Sequence, residues 1–173
     1  AREMAWPVPV NDFLSGARQR LLGSRAEGCS GKVTRVASTY VRAFARSLDK
    51  ATAFPPLGEV TVAVAWRGRF SVLAEVRQFQ GVALISKHGA EICRITSLIL
   101  AAAQEQLPVA HPHYPGIGIT NALLSGPTSN PNADWKNAVR VGSGLVDLNN
   151  PATWTAALDR CPCGTGTCAK MAV

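Results

Sequence analysis

The stretch that most restricts the fold runs from Glu59 to Gln106. Glu59-Val-Thr-Val-Ala-Val-Ala65 places β-branched residues at alternate positions, the pattern of a strand with a buried face. Arg67-Gly68-Arg69 makes a turn into a second strand, Phe70 to Glu75, so the pair predicts a hairpin. From Gly89 to Gln106 the period changes. Ile92, Ile95, Leu98, Ile99, Ala102 and Ala103 fall on one side of a helix and need a sheet to cover them. Pro108 and Pro112 end that helix. Two further strands are expected around Ile117 to Leu124 and Ala138 to Val141, with the turn-rich stretch Gly126 to Asp134 between them. Several strands with one long packed helix imply an α+β layer.

Elsewhere the pattern is thinner. Lys32-Val-Thr-Arg-Val36 alternates as a strand, whereas Thr52 to Gly58, with two prolines and a glycine, predicts a loop. Residues 1–30 form a poorly defined N-terminal segment, broken by Pro7, Pro9, Gly16, Gly23 and Gly28, in which Phe13 to Leu22 predicts a short helix. Gly142 to Thr155 reads as a surface excursion with Asn149-Asn150-Pro151 as its turn. Gly164 to Val173 should begin as a glycine turn and continue as a helix.

Composition removes some classes of function. Of 173 residues, 47% are apolar and 17% charged, which argues for a packed core and against disorder. No apolar run approaches the ~18 residues that span a bilayer, so no membrane partner is expected. The net charge of +7 is concentrated in the first fifty residues, but the arginines there form no dense block and few aromatics lie among them to stack on bases. Nucleic acid is therefore not an expected partner. Five cysteines, in no framework spacing, point to a reducing, cytoplasmic setting.

Chemistry concentrates in Asp159-Arg-Cys161-Pro-Cys163-Gly-Thr-Gly-Thr-Cys168-Ala-Lys170. Gly164 and Gly166 let backbone amides converge beside Cys163 without side-chain obstruction. A helix starting there would aim free N–H groups and a positive dipole end at the turn. Such a place binds a carboxylate and favours thiolate over thiol. A thiolate beside a bound carboxylate is positioned to remove the proton from the α-carbon, and Asp159 can pair with the substrate nitrogen.

This segment closely resembles the second catalytic motif of the proline racemase family, Asp-Arg-Ser-Pro-Cys-Gly-Thr-Gly-Thr-Ser-Ala-Lys, with Cys161 and Cys168 standing for its two serines. His111-Pro-His-Tyr-Pro115, Ser125-Gly126-Pro127 through Asp134-Trp-Lys136-Asn137, and Leu57-Gly58 through Trp66 are similar to other parts of the family pattern. The resemblance covers about residues 25–173. It implies a diaminopimelate-epimerase-like fold: two lobes, each a curved, mostly antiparallel sheet around a central helix. Residues 31–173 would be most of the second lobe, incomplete. It also implies a reaction without cofactor or metal, the racemisation or epimerisation of proline or 4-hydroxyproline at the α-carbon by two cysteine bases. Cys163 would be one base, Gly164 and Thr165 would give amides to the substrate carboxylate, and Asp159 would hold the ring nitrogen. The expected partner is that small imino acid; a homodimer is left open.

The family's other cysteine lies in a Met-Cys-Gly-His motif, which this sequence does not contain. Half an active site is thus expected, inactive unless another polypeptide segment completes it. Arg67 and Arg69 replace a glycine and an asparagine, and Ser71 an aromatic. Three rival readings stand beside the epimerase: a trans-3-hydroxyproline dehydratase, disfavoured because that branch tends to carry threonine at the position of Cys163; a catalytically inactive relative; and a zinc module drawing on Cys161, Cys163 and Cys168 with Cys93, Cys29 or the His111/His113 pair.

Overall fold

A computed structural model describes residues 23–29, 31–39, 41–54, 56–142, 144–161 and 163–173. The helix expected at Phe13 to Leu22 lies outside the described residues. The chain divides into two compact units, residues 1–42 and 43–173.

The first unit holds an antiparallel hairpin of β1 (Gly23–Cys29) and β2 (Lys32–Thr39). The alternation at Lys32 to Val36 is indeed a strand, and it runs on to Thr39. β1 was not legible, because its glycines and charged residues give no period and a register shift at Glu27/Gly28 interrupts the ladder.

The second unit is a six-stranded sheet whose order follows the sequence: β3 (Phe44–Phe54), β4 (Gly58–Trp66), β5 (Phe70–Glu75), β6 (Ile119–Gly126), β7 (Lys136–Val141) and β8 (Ala157–Leu158). Every neighbouring pair is antiparallel except β5–β6, which is parallel. A parallel pair needs a long crossover. Helix α1 (Gly89–Gln106) lies within it, ending at Leu107 immediately before Pro108. The α+β class and the mostly antiparallel sheet are as expected from sequence.

The loop expected from Thr52 to Gly58 is mostly strand. Thr52, Ala53 and Phe54 belong to β3 and not to a loop; only the short link before Gly58 turns. β3 is an edge strand with two register irregularities, between Ala45 and Ser47 and between Ser47 and Lys50. Asp49 sits there with φ 49°. Those irregularities break the period-two signal by which a strand announces itself.

Successive residues of a strand face opposite sides. Val60, Val62, Val64 and Trp66 of β4, Phe70, Val72 and Ala74 of β5, and Ala122 and Leu124 of β6 form one cluster with Ile92, Ile95, Ile99, Ala102 and Ala103 of α1. The intervening Ala65, Leu73, Leu123 and Val139 form a second, smaller cluster with Ala169 of α2 (Gly164–Met171). The sheet thus carries a helix on each face. At the β4–β5 turn Gly68 adopts φ 73°, a left-handed conformation that suits glycine. No helix among the described residues is long and apolar enough to cross a membrane.

Candidate active site

The residues singled out from sequence meet at the start of α2. Cys163 is the N-cap residue, in extended conformation (φ −66°, ψ 106°). Its carbonyl accepts the first intrahelical bond from Thr167 N–H at 2.8 Å, and its own Sγ accepts a hydrogen bond from Gly166 N–H at 3.4 Å. A sulfur therefore occupies the place usually taken by a serine or aspartate oxygen at an N-cap. Thr165 Oγ1 lies 3.6 Å from the same sulfur. Gly164 and Thr165 are the first two helical residues, whose amides have no carbonyl one turn back to bond to.

The expected glycine turn before the helix is instead the helix's own first turn, beginning at Gly164. The reason lies beneath it. A Cβ on Gly166 would sit 2.9 Å from Val139 Cγ2, 3.3 Å from Leu123 Cδ2 and 3.3 Å from Cys163 Sγ. Absence of a side chain lets α2 settle on β6 and β7 with the thiol directly alongside. Asn137 Nδ2, on β7, donates to Thr167 Oγ1 at 3.4 Å and ties the same turn to the sheet. Cys163 is half-buried and packs against the small cluster of Ala65, Leu73, Leu123, Val139 and Ala169.

Asp159 follows β8, held by its backbone N–H to Val139 O at 2.9 Å. Its Oδ1 accepts from Cys161 N–H at 3.1 Å and from Cys161 Sγ–H at 3.0 Å. Those two bonds, led by the thiol, hold the Asp159 carboxyl below its ordinary range, with Cys163 adding to the effect. Conversely the carboxylate pushes the Cys161 thiol up, first by hydrogen bonding and then by charge. Asp159, Thr165 and Cys163 are thus brought together, and the exposed thiol of Cys161 joins them. From sequence, Cys161 figured only in the rival zinc reading; its separation of two from both Asp159 and Cys163 was the available signal.

Two other residues weighed from sequence lie elsewhere in the second unit. Cys93 lies on α1, on the opposite face of the sheet, where burial pushes its thiol up and the nearby Arg140 guanidinium works against that shift. Arg140, itself buried, donates from Nε to Ser97 Oγ at 2.8 Å. His111 is buried among Trp66, Tyr114 and Phe44, with ring centroids 4.2, 4.6 and 5.7 Å away. Its Nδ1 accepts from His113 N–H at 3.1 Å. Burial, and then the charge of His113, push His111 down. Among the described residues no three His, Cys, Asp or Glu side chains are placed to hold a metal ion. The sheet separates Cys93 from Cys163, which removes one of the ligand sets weighed from sequence.

Three tryptophans lie among the described residues. Trp66 is buried in the aromatic cluster, and Trp154 Nε1 anchors the 142–155 excursion by donating to Asp147 O at 2.8 Å. Trp135 is half exposed, with the Lys170 ammonium 4.6 Å above its ring. Lys170 also pairs with Glu75 at 2.9 Å, and Ser125 Oγ donates to the same carboxylate oxygen at 2.9 Å. These three line a cleft of about 460 Å³ together with Thr61, Gln78 and Arg77. Cys163 does not line it. From Cys163 to Lys170 is about 10 Å along the helix axis, so cleft and thiol lie at opposite ends of α2. Ser71, at the position usually aromatic, is fully buried on the α2 face between Ala65 and Asn121, its hydroxyl without a hydrogen-bond partner among the described residues.

Comparison with known proteins gives one consistent result. Residues 20–173 match the family model described as proline racemase. The chain is 31% identical over 147 residues to proline racemase A of Trypanosoma cruzi, covering 84% of this chain and 32% of that protein. It is 31% identical over 142 residues to a 4-hydroxyproline 2-epimerase of Ancylobacter novellus, covering 81% of this chain and 38% of that one. The chain therefore spans about a third of the length of these curated relatives. A hydroxyproline epimerase of Agrobacterium vitis, solved with bound trans-4-hydroxy-L-proline, superposes with a TM-score of 0.72 at 25% identity, over 88% of this chain and 40% of that one.

Proposed function

Because the chain belongs to the proline racemase family, we propose that it supplies one half of a cofactor-independent racemase or epimerase acting at the α-carbon of proline or 4-hydroxyproline. In this reading Cys163 is one of two bases. It takes the α-proton on one face of the substrate while a second cysteine, absent from this sequence, delivers a proton to the other. Gly164 and Thr165 give their amides to the substrate carboxylate, and Asp159 holds the ring nitrogen. Charge developing on the substrate during proton removal is met by N–H groups already in position, and this costs no reorganisation at the moment of reaction.

One observation carries the reading: a thiol at the N-cap of α2, with an amide N–H on its sulfur and the Asp159 carboxylate close by. Thiolate and carboxylate binding both draw on the positive end of a helix. Substrate choice between proline and 4-hydroxyproline is part of the proposal, supported by relatives that carry both names. The cysteine at position 163, where the dehydratase branch tends to have threonine, supports epimerisation over dehydration.

Exchange of the α-proton into deuterated water, followed by proton NMR for proline and both 4-hydroxyproline epimers, tests this. The chain alone should exchange no faster than its Cys163→Ser variant. Complemented with a lobe bearing Met-Cys-Gly-His, it should exchange measurably, and Cys163→Ser should abolish that. Equal exchange by parent and variant in the complemented protein would sink the assignment of Cys163.

A further inference from the structure

Asp159, Cys161 and Cys163 make an arrangement that proton transfer at an α-carbon does not require. Two cysteines two residues apart have Cα atoms at most about 7 Å from one another, whatever the backbone does. Disulfides accept Cα separations up to about 6.8 Å, so the pair stands within or at the edge of reach. Both side chains interact with one carboxylate, that of Asp159. Cys161 Sγ–H points at Asp159 Oδ1, 3.0 Å away, and the backbone N–H of Cys161 bonds to the same oxygen at 3.1 Å. Cys163 also interacts with that carboxylate. Cys161 is exposed to solvent and oxidants, whereas Cys163 is half-buried with Gly166 N–H on its sulfur.

We propose that Cys161 and Cys163 are an oxidative modification site: hydrogen peroxide converts them to a reversible intrachain disulfide. The sulfur of Cys163 attacks the peroxide O–O bond, giving a sulfenic acid and one water. Cys161 then displaces the sulfenic hydroxyl, forming the S–S bond and releasing a second water. Two thiols lose two electrons and two protons, and one peroxide becomes two waters. Asp159 has a defined part in the second step. It already accepts the hydrogen bond of the Cys161 thiol, so it takes that proton as the sulfur attacks and passes it to the departing hydroxyl. The carboxylate that keeps Cys161 protonated at rest is the group that deprotonates it when a sulfenic acid forms beside it.

Without a neighbour, a sulfenic acid goes on to sulfinic and sulfonic acids that thiols cannot reduce. With Cys161 adjacent, oxidation stops at a state that dithiothreitol reverses. The pairing stands on the geometry alone. Its consequence, a protein switched off while Cys163 is tied up, rests on the reading of Cys163 as a base.

The test reads thiols and needs no turnover, so it succeeds or fails independently of the epimerase assignment. The reduced chain is treated with hydrogen peroxide, its remaining thiols are blocked with N-ethylmaleimide, and trypsin releases the peptide from Cys161 to Lys170, which contains three cysteines. The expected product lacks two hydrogens and carries one label, on Cys168. In Cys161→Ser, the same treatment should take Cys163 to sulfinic or sulfonic acid, with loss of recovery by dithiothreitol. A label on Cys161 in the parent would mean that Cys163 pairs with Cys168, and would overturn the proposal. So would full recovery of Cys163 in Cys161→Ser, since the neighbour would then be unnecessary.

Discussion

The two faces of the sheet hold their helices by different means. On the α1 face, eighteen residues of helix lie against branched and aromatic side chains, and Ile92, Ile95 and Ile99 are each 1% exposed. On the α2 face, eight residues lie against alanine, leucine and valine, with Gly166 brought down onto Val139 and Leu123. The first face is largely a hydrocarbon layer, with buried Arg140 tied to Ser97 within it. The second trades side-chain volume for backbone approach, which leaves amides, a thiol and a carboxylate near the surface. Stability is therefore assigned mainly to one face and chemistry to the other.

Substitutions can break that division. Ile99→Ala should give the largest loss, about 2–5 kcal/mol by chemical denaturation, through lost burial plus the cavity left in a close-packed layer. A loss under ~1 kcal/mol would mean that the α1 face is not the main source of stability. Gly166→Ala comes next. Its methyl would press on Val139 at 2.9 Å and on the Cys163 sulfur at 3.3 Å. Overpacking should cost about 1–3 kcal/mol, somewhat offset by alanine's better helix propensity. The same change should slow alkylation of Cys163 relative to Cys161, because it shifts the thiol; unchanged labelling would show that the close approach does not set the sulfur's position. Lys170→Ala removes the pair with Glu75 and the contact with Trp135, both partly exposed. Its effect should be smallest, at or below about 1 kcal/mol.

A pH dependence sharpens the comparison from the other side. His111, in the aromatic cluster that includes Trp66 and Phe70, has a folded-state pKa pushed down by burial and by His113. Protonation therefore favours the unfolded chain. Stability from this residue is present in full above the ordinary histidine range and is lost as pH falls through that range to the lowered folded value. Denaturation midpoints from pH 8 to 5 should fall for the parent and fall less for His111→Gln. Parallel pH profiles would show that His111 does not sense pH through its burial.

Legibility followed regularity. β4, β5 and α1 were readable because their burial is one-sided and unbroken, so the period of the side chains survives in the sequence. β3 was missed because two register irregularities and an aspartate with positive φ scramble its alternation. At the candidate site, Asp159 and Cys163 stood out from residue type and spacing, whereas Thr165 entered only through the family resemblance. The capping role of the Cys163 sulfur was not legible, nor was the thiol bond from Cys161 to Asp159. The first depends on where α2 begins, which packing beneath Gly166 constrains, and the second on how the chain turns after β8.

From its residues alone the chain determined an α+β layer, one long amphipathic helix, and a thiol beside a glycine-rich stretch at a helix start. These are local matters, fixed by side-chain period and by which amides the backbone leaves free. Only the folded sheet decided that α1 and α2 lie on opposite faces and that Cys93 and Cys163 are separated by it. Such relations join residues through pairings between distant strands, and the face on which a side chain emerges depends on strand register, which a linear pattern does not specify where that register slips.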